Sequence, residues 1–192
     1  MAAGKSTSRR GLKICCAVTA IFLVLIAAVL VALSFTMLKP KDPRISLHLE
    51  GLQNFDLSML MNATANVTLG TVFTVENRNY ASFRYKNTTA YVDFHGDLVG
   101  EALIGERYVP ARGKLNVTTS VTLMTGNLVM NPHFFADLGS GSLNLTSTAT
   151  LVGKTSLLKI FKKHATVYNR CNISVFVFTR SVESICETKL KM

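Results

Sequence analysis

The side chains best suited to acid–base or metal chemistry are four histidines, His48, His95, His133 and His164, and they are dispersed along the chain. None stands in the HExxH or HxxEH spacing that brings two imidazoles and a carboxylate to one helix face. Each therefore reads as an ordinary strand or surface histidine. Asp93 and Asp97 bracket Phe94-His95-Gly96. Carboxylates four positions apart share a strand face only if the strand runs on through His95-Gly96, and turn residues at that place close a hairpin instead. Gly139-Ser140-Gly141 leads into a strand-like segment, so it lacks the helix N-terminus that cradles a phosphate. The spacing of Ser, His and Cys supports no Ser-His-Asp or Cys-His arrangement. The eleven acids are scattered and no Asp-x-Asp occurs, which leaves a divalent cation without clustered oxygen ligands. Catalytic residues, a metal and a cofactor are accordingly not expected. A single-pass Golgi enzyme is the weaker alternative.

What remains are residues that carry covalent modification and charge. Six Asn-x-Ser/Thr sequons, at Asn62, Asn66, Asn87, Asn116, Asn144 and Asn172, all follow residue 38, where chance placement would give about two. In LNVTTSVTL, Leu115, Val117, Val121 and Leu123 share one parity and Asn116, Thr118, Ser120 and Thr122 the other. LNLTSTATL likewise sets Leu143, Leu145, Ala149 and Leu151 against Asn144, Thr146, Thr148 and Thr150. Strands alternate faces with period two, so Asn116 and Asn144 are expected to point at solvent, where glycans are tolerated. Cys171 and Cys186 are expected to form a disulfide in an oxidising compartment, with two buried free thiols as the alternative. Cys15 and Cys16 read either as palmitoylation sites or as two small apolar residues. Lys154, Lys159, Lys162 and Lys163 concentrate charge within ten residues. They suit contact with polyanions such as wall pectin or anionic lipid headgroups, or the protection of an edge strand.

These residues must be positioned by elements that a chain of 192 residues can build. It is 48% hydrophobic and 17% charged, with a mean hydropathy of +0.31, which suits one folded domain and argues against a disordered chain. Doubly wound and barrel enzymes usually need more residues than follow the N-terminal apolar segment. Residues 14–38, ICCAVTAIFLVLIAAVLVALSFTML, are uncharged. As a helix they span roughly 37 Å, enough to cross a hydrocarbon core and longer than the apolar region of a cleaved signal peptide. Four basic residues and no acid precede them, whereas Lys39, Lys41 and Arg44 follow beside Asp42 and Glu50. The positive-inside rule then expects a cytosolic tail at 1–13, a membrane signal anchor at 14–38 and an extracellular or lumenal domain at 39–192. The plasma membrane is the expected location, with the endoplasmic reticulum or Golgi membrane as the alternative. The formal charge of +10 does not indicate a nucleic-acid partner, because the excess beyond residue 38 is spread and no zinc-finger or RNP-like motif accompanies it.

Beyond the anchor, short apolar segments alternate. Ile45, Leu47 and Leu49 share a parity, as do Val67, Leu69, Phe73 and Val75. Phe83 with Tyr85, the run 91–99, the two segments already phased, and 165–169 with 171–178 follow. Regular short strands separated by Gly, Asn and Asp predict a mainly β fold, an antiparallel sandwich, interrupted by one short helix. Asn131 would cap that helix, Pro132 would occupy its first position and Gly139 would end it. Residues 52–62 fit a short helix or a loop equally.

The basic tail and apolar helix are followed by VTLGTVFTVENRNYASFRYKNTTAYVDFHGDLVGEALI, FFADLGSGSLNLTSTATLVGKT and the terminal CNISV and ESIC segments. In that layout the chain resembles the plant late-embryogenesis-abundant group 2 family, and within it the NDR1/HIN1-like membrane branch. Glu76-Asn77-Arg78-Asn79 stands where that family usually has Asn-Pro-Asn, so a different local turn is expected. The resemblance implies a seven-stranded sandwich of fibronectin-like shape with one helix. It further implies a noncatalytic cell-surface protein acting in plant defence signalling or stress response as a binding or scaffold module, with cell-wall polyanions or membrane proteins as partners. The alternative is a protective protein that stabilises membranes or proteins during water stress.

Overall fold

The computed structural model describes residues 6–37, 39–49, 66–157, 161–179 and 181–192. They fall into two compact units, Met1–Lys39 and Pro40–Met192. The first is one helix, α1 (Ser6–Met37). Its segment Gly11–Ala32 is exposed throughout and, with 22 residues, is long and apolar enough to cross a membrane. The Thr19 hydroxyl donates to the Cys15 carbonyl at 2.9 Å, so this polar group is satisfied within the helix, as an apolar surrounding requires.

The described residues of the second unit contain ten strands: β1 (Arg44–Leu49), β2 (Asn66–Glu76), β3 (Ser82–Tyr85), β4 (Thr88–Phe94), β5 (Asp97–Ile104), β6 (Arg107–Val109), β7 (Lys114–Met124), β8 (Ser142–Leu157), β9 (Phe161–Phe176) and β10 (Ser181–Lys191). Two short helices, α2 (Thr125–Met130) and α3 (Phe134–Ser140), join β7 to β8. The strands form one antiparallel sheet in the order β1-β2-β7-β5-β4-β8-β3-β6, with β9 on β8 and β10 on β9. The fold is therefore mainly β and antiparallel, as the alternation predicts, with ten described strands where the resemblance implied seven.

β8 organises this sheet. Residues 145–149 pair with β4 and 153–156 with β3 on one edge, while β9 covers the other edge along the whole strand. Period two turns Leu143, Leu151, Gly153 and Thr155 inward and leaves Asn144, Thr150, Val152 and Lys154 exposed. Gly153 lies opposite Tyr85, and a Cβ there would fall 2.2 Å from the Arg84 carbonyl oxygen, so only glycine lets β3 approach this closely. At the far edges the Ser184 hydroxyl donates to the Leu47 carbonyl at 3.2 Å, and the Leu190 N–H donates to the Asp42 carboxylate at 2.8 Å. These contacts bring β10 to β1 and nearly close the sheet.

The core lies inside the curl in two clusters. Ile45, Phe73, Phe83, Tyr85, Leu151 and Val167 belong to one. Phe94, Val99, Leu123, Leu128, Phe134 and Leu143 form the other, where the two short helices plug the open end. Asn131 does not begin a helix here. It follows α2, its N–H bonded to the Leu128 carbonyl, while its side-chain oxygen accepts from the His133 N–H across Pro132. Helix α3 ends at Gly141, at φ +88°, rather than at Gly139, because the left-handed cap falls there. Residues 52–62 lie outside the described residues.

Buried polar groups tie the loops at the opposite end. Asn77 is buried, its amide donates to the Ala81 and Pro110 carbonyls at 2.8 and 3.0 Å, and its oxygen accepts from the Asn79 N–H at 3.0 Å. Asn79 in turn exchanges hydrogen bonds with the backbone of Lys41. Glu76-Asn77-Arg78-Asn79 thus locks three separate loops through side-chain amides. Tyr85 is the opposite case: it is fully buried, and its hydroxyl has no partner among the described residues. Desolvation pushes its pKa above the ordinary value, with Arg107 pulling it back in part.

Asn77→Ala is expected to lower the unfolding free energy by about 2–3 kcal/mol, since it strands two carbonyls and an N–H. Tyr85→Phe is expected to leave stability unchanged or raise it by about 1 kcal/mol, because a desolvated hydroxyl is removed. Above the ordinary tyrosine pKa the unfolded chain ionises before the folded one, so wild-type stability falls there, and the Phe variant loses that component. Chemical denaturation at neutral and alkaline pH measures all three outcomes.

Candidate functional site

The two cysteines beyond α1 stand directly opposite each other. Cys171 on β9 and Cys186 on β10 form a disulfide with sulfurs 2.01 Å apart across a sequence separation of 15. Cys15 and Cys16 are exposed on α1 with free thiols.

Asn66, Asn87, Asn116, Asn144 and Asn172 are all exposed, while Asn62 lies outside the described residues. Where a sequon side chain is engaged, it uses its oxygen. Asn116 accepts from Thr74, Asn144 accepts from Ser174 and Asn87 accepts from the Glu106 N–H. The amide nitrogen, to which a glycan would attach, takes no part in these three bonds.

Lys154, Lys162 and Lys163 are exposed at one end of the β8–β9 ladder, and Lys159 lies outside the described residues. Lys154 pairs with Arg84 of β3 on one side and His164 of β9 on the other, so β8 is interior at this point. The edge-protection reading of Lys154 therefore fails: both of its backbone edges are occupied. Lys162 shares the outer face with Lys154, whereas Lys163, opposite Thr155, takes the other parity. Four further cations join this face from elsewhere. Arg84 lies on β3, Arg170 on β9, and Lys189 and Lys191 alternate on β10 opposite Tyr168 and Thr166. Arg84 is held over the Tyr108 ring at 5.8 Å and 3.6 Å from Glu106. Arg84 comes from a distant segment, so only strand pairing reveals it. Lys189 and Lys191 carry a period-two signal that residues 181–191, read as a strand, would have shown.

A groove of about 540 Å³ crosses the same face. Tyr91 and Tyr168, each about half exposed, line it with Arg170, Lys189 and Glu187, and hydroxyls of Thr148 and Thr150 floor it. Planar rings beside cations and neutral hydroxyls suit a sugar chain that carries acid groups.

Among the described residues the histidines and aspartates meet at one place, where His95 contacts Asp137. His95 and Gly96 make the β4–β5 turn at φ +49° and +93°. His95 Nε2 lies 2.9 Å from an Asp137 oxygen, and its ring stacks on His133 at 4.5 Å. The Asp97 carboxylate accepts from the Asn131 amide at 2.8 Å, while Asp93 faces Thr146 on β8. His164 is exposed and His48 lies in β1. Among the described residues no group of three His, Cys, Asp or Glu is placed to hold a metal ion.

Inside the sheet lies a second space, of about 130 Å³, between the β1-β2-β7-β5-β4 layer and β8-β9. Its lining is apolar apart from a few neutral groups such as Thr71, Thr119, Ser147 and Asn169.

The family model described as late embryogenesis abundant protein, LEA_2, matches residues 72–173, from mid-β2 to β9, which is more than half of the chain. The chain belongs to the LEA_2 family. Membership supports a stress-related role without catalysis. No curated protein matches it. Among solved structures, the chain is similar to a protein from Archaeoglobus fulgidus at 6% identity and TM-score 0.37, and to a FixG-related protein from Vibrio parahaemolyticus at 10% and 0.31. Each alignment covers 79% of this chain and 97% of the other.

Replacing Cys186 with Ser in this LEA_2 protein is expected to cost about 3 kcal/mol, because the β9–β10 loop then regains its freedom in the unfolded chain. Thermal unfolding of wild type and variant, with thiol titration of the native wild type, gives the measurement. Equal melting temperatures would contradict the expectation.

Proposed function

We propose that this LEA_2 protein is a noncatalytic, membrane-anchored binding module of the plant cell surface, of the NDR1/HIN1-like branch, acting in defence signalling or stress response. The observation that carries the reading is α1. Its Gly11–Ala32 segment exposes apolar side chains all round, which a bilayer covers and water does not. On this reading residues 1–13 are cytosolic, 14–38 span the plasma membrane and 39–192 face the apoplast, where glycans occupy outward sequons and the disulfide persists. Cys15 and Cys16 then sit where the helix enters the cytosolic leaflet, in reach of palmitoylation.

The outer face of β3, β8, β9 and β10 is the binding surface in this reading, and its ligand is an acidic polysaccharide. Arg84, Lys154, Lys162, Arg170, Lys189 and Lys191 supply cations, and the tyrosine-lined groove supplies flat apolar surface. Asn144 and Asn172 lie toward the other end of the same two strands, so their glycans would border the surface and leave the Lys154 end open.

In protein from a eukaryotic secretory host, peptide N-glycosidase is expected to collapse several bands to one near 21.0 kDa. Protease added to sealed vesicles with the cytosolic face outward should trim residues 1–13 and spare the β unit. Protection of the tail instead would reverse the orientation.

Changing Lys154, Lys162, Arg170 and Lys189 together to Gln is expected to remove most binding to de-esterified pectin, with the fold intact by circular dichroism. Wild-type binding should itself fade between low and physiological salt, where exposed charges are screened beyond about 8 Å. Co-sedimentation reads both effects, with anionic liposomes as a second arm. Full retention of pectin binding by the quadruple variant would remove the assignment.

A further inference from the structure

We propose that the space between the two layers is a binding site for a small neutral molecule, mostly apolar and carrying one hydrogen-bonding oxygen, with that oxygen on the hydroxyl of Thr71. Two independent observations meet there. The first is a row of small side chains across the inner face. Ala102 of β5 pairs with Ala90 of β4, and Ala90 pairs with Ala149 of β8. Three adjacent strands thus present methyl groups in one row, the next row holds Gly100, Val92 and Ser147, and about 130 Å³ is left between the layers. That is close to the size, about 150 Å³, of an apolar cavity that accepts benzene.

The second observation is Thr71 itself. It is 2% exposed, lines this space from β2, and its hydroxyl has no hydrogen-bond partner among the described residues. Two of the other polar groups that line the space are already engaged. The Thr119 hydroxyl donates to the Leu103 carbonyl at 2.6 Å, and the Asn169 oxygen accepts from Thr188 at 3.0 Å. A ligand oxygen against Thr71 therefore supplies a missing hydrogen bond without competing for an existing one. Among the described residues no charged side chain lines the space, so a carboxylate or ammonium would enter unpaired by them at a large desolvation cost. The class that fits is an alcohol, phenol or ketone of about six to eight heavy atoms, by comparison with the benzene-sized site. This site faces inward and the polysaccharide surface outward, with Ala149 and Asn169 of the shared sheet lining both.

The test uses the full chain in lipid nanodiscs, with isotope-labelled Leu, Val and Ile methyl groups, titrated with phenol and with toluene, its near-isostere without the hydroxyl. Both probes are expected to give saturable shifts at Val99, Leu123 and Leu151. Thr71→Val should weaken phenol roughly 3- to 10-fold and leave toluene unchanged or tighter, the factor that one net hydrogen bond corresponds to. Comparing variants at equal probe concentration cancels uptake by the bilayer. Ala149→Leu should abolish binding of both probes, and Ala102→Leu provides the same filling from another strand should the first disturb the methyl spectrum. Absence of saturable shifts at these methyls, or an unchanged phenol-to-toluene ratio in Thr71→Val, would overturn the proposal.

Discussion

The sixteen-residue ladder between β8 and β9 is the constraint on which the rest of the β unit depends. Side chains alternate along it with period two, so a slip of one residue would turn Leu143 and Leu151 to water and drive Asn144 and Lys154 inward. Burial of the apolar set therefore fixes the register, and the register places everything else. On one edge β8 accepts both β4 and β3, two strands consecutive in the chain and separated by only Lys86 and Asn87. Gly153 makes the second junction sterically possible. On the other edge β9 carries β10, whose contacts with Leu47 and Asp42 bring the sheet round upon itself.

This geometry has an electrostatic consequence. Setting Arg84, Lys154 and His164 in one cross-strand row puts two permanent cations and a titratable ring side by side. Like charges directly opposite one another destabilise a sheet by a few tenths to about 1 kcal/mol. Glu106 relieves Arg84 only weakly, because an exposed ion pair is screened by water. Burial of the opposite faces of these strands imposes the arrangement.

Much of the fold was legible because most strands bury one face against a continuous core. Ile45-Leu47-Leu49, Val67 to Val75, Leu115 to Leu123 and Leu143 to Leu151 all announce themselves by parity. β10 was not legible, and its side chains show why. Its inner parity holds Val182, Ser184, Cys186, Thr188 and Leu190, a half-polar set, while Ile185 is 74% exposed on the outer face. The paired disulfide and the closing contacts with β1 replace hydrophobic burial there, so the strand lacks an apolar period and alternates only in the charges of Glu183, Glu187, Lys189 and Lys191. β6 has three residues and is held by pairing with β3, too short for any period to show. The two-helix connection was misplaced for a related reason. Asn131 and Pro132 suit a helix start and a turn between helices equally, and the choice is made by Phe134 packing edge-on against Phe94 at 6.5 Å. Of the cationic face, the segment around residues 154–163 was visible as composition, Arg170, Lys189 and Lys191 follow on the consecutive strands β9 and β10, and Arg84 reaches it only through pairing of the distant strand β3.

The inner row of small residues explains why a domain of this size carries a covalent staple as well as a core. Left unfilled, about 130 Å³ of apolar space would cost about 3 kcal/mol at ~24 cal/mol per Å³. A disulfide closing a loop of about 15 residues contributes about the same amount on the chain-entropy account. The two features are neighbours: Ala149 pairs with Asn169, and Cys171 is the next inward-facing residue along β9. Covalent closure between β9 and β10 therefore stands beside the row of small residues and fixes the pairing of the strand that carries Asn169 and Cys171. An interior relieved in this way can retain the alanine row and the desolvated Thr71 hydroxyl without losing the register of β8. The underpacking is then compatible with a single ordered sheet, because the strands that border it are fixed from their other edges.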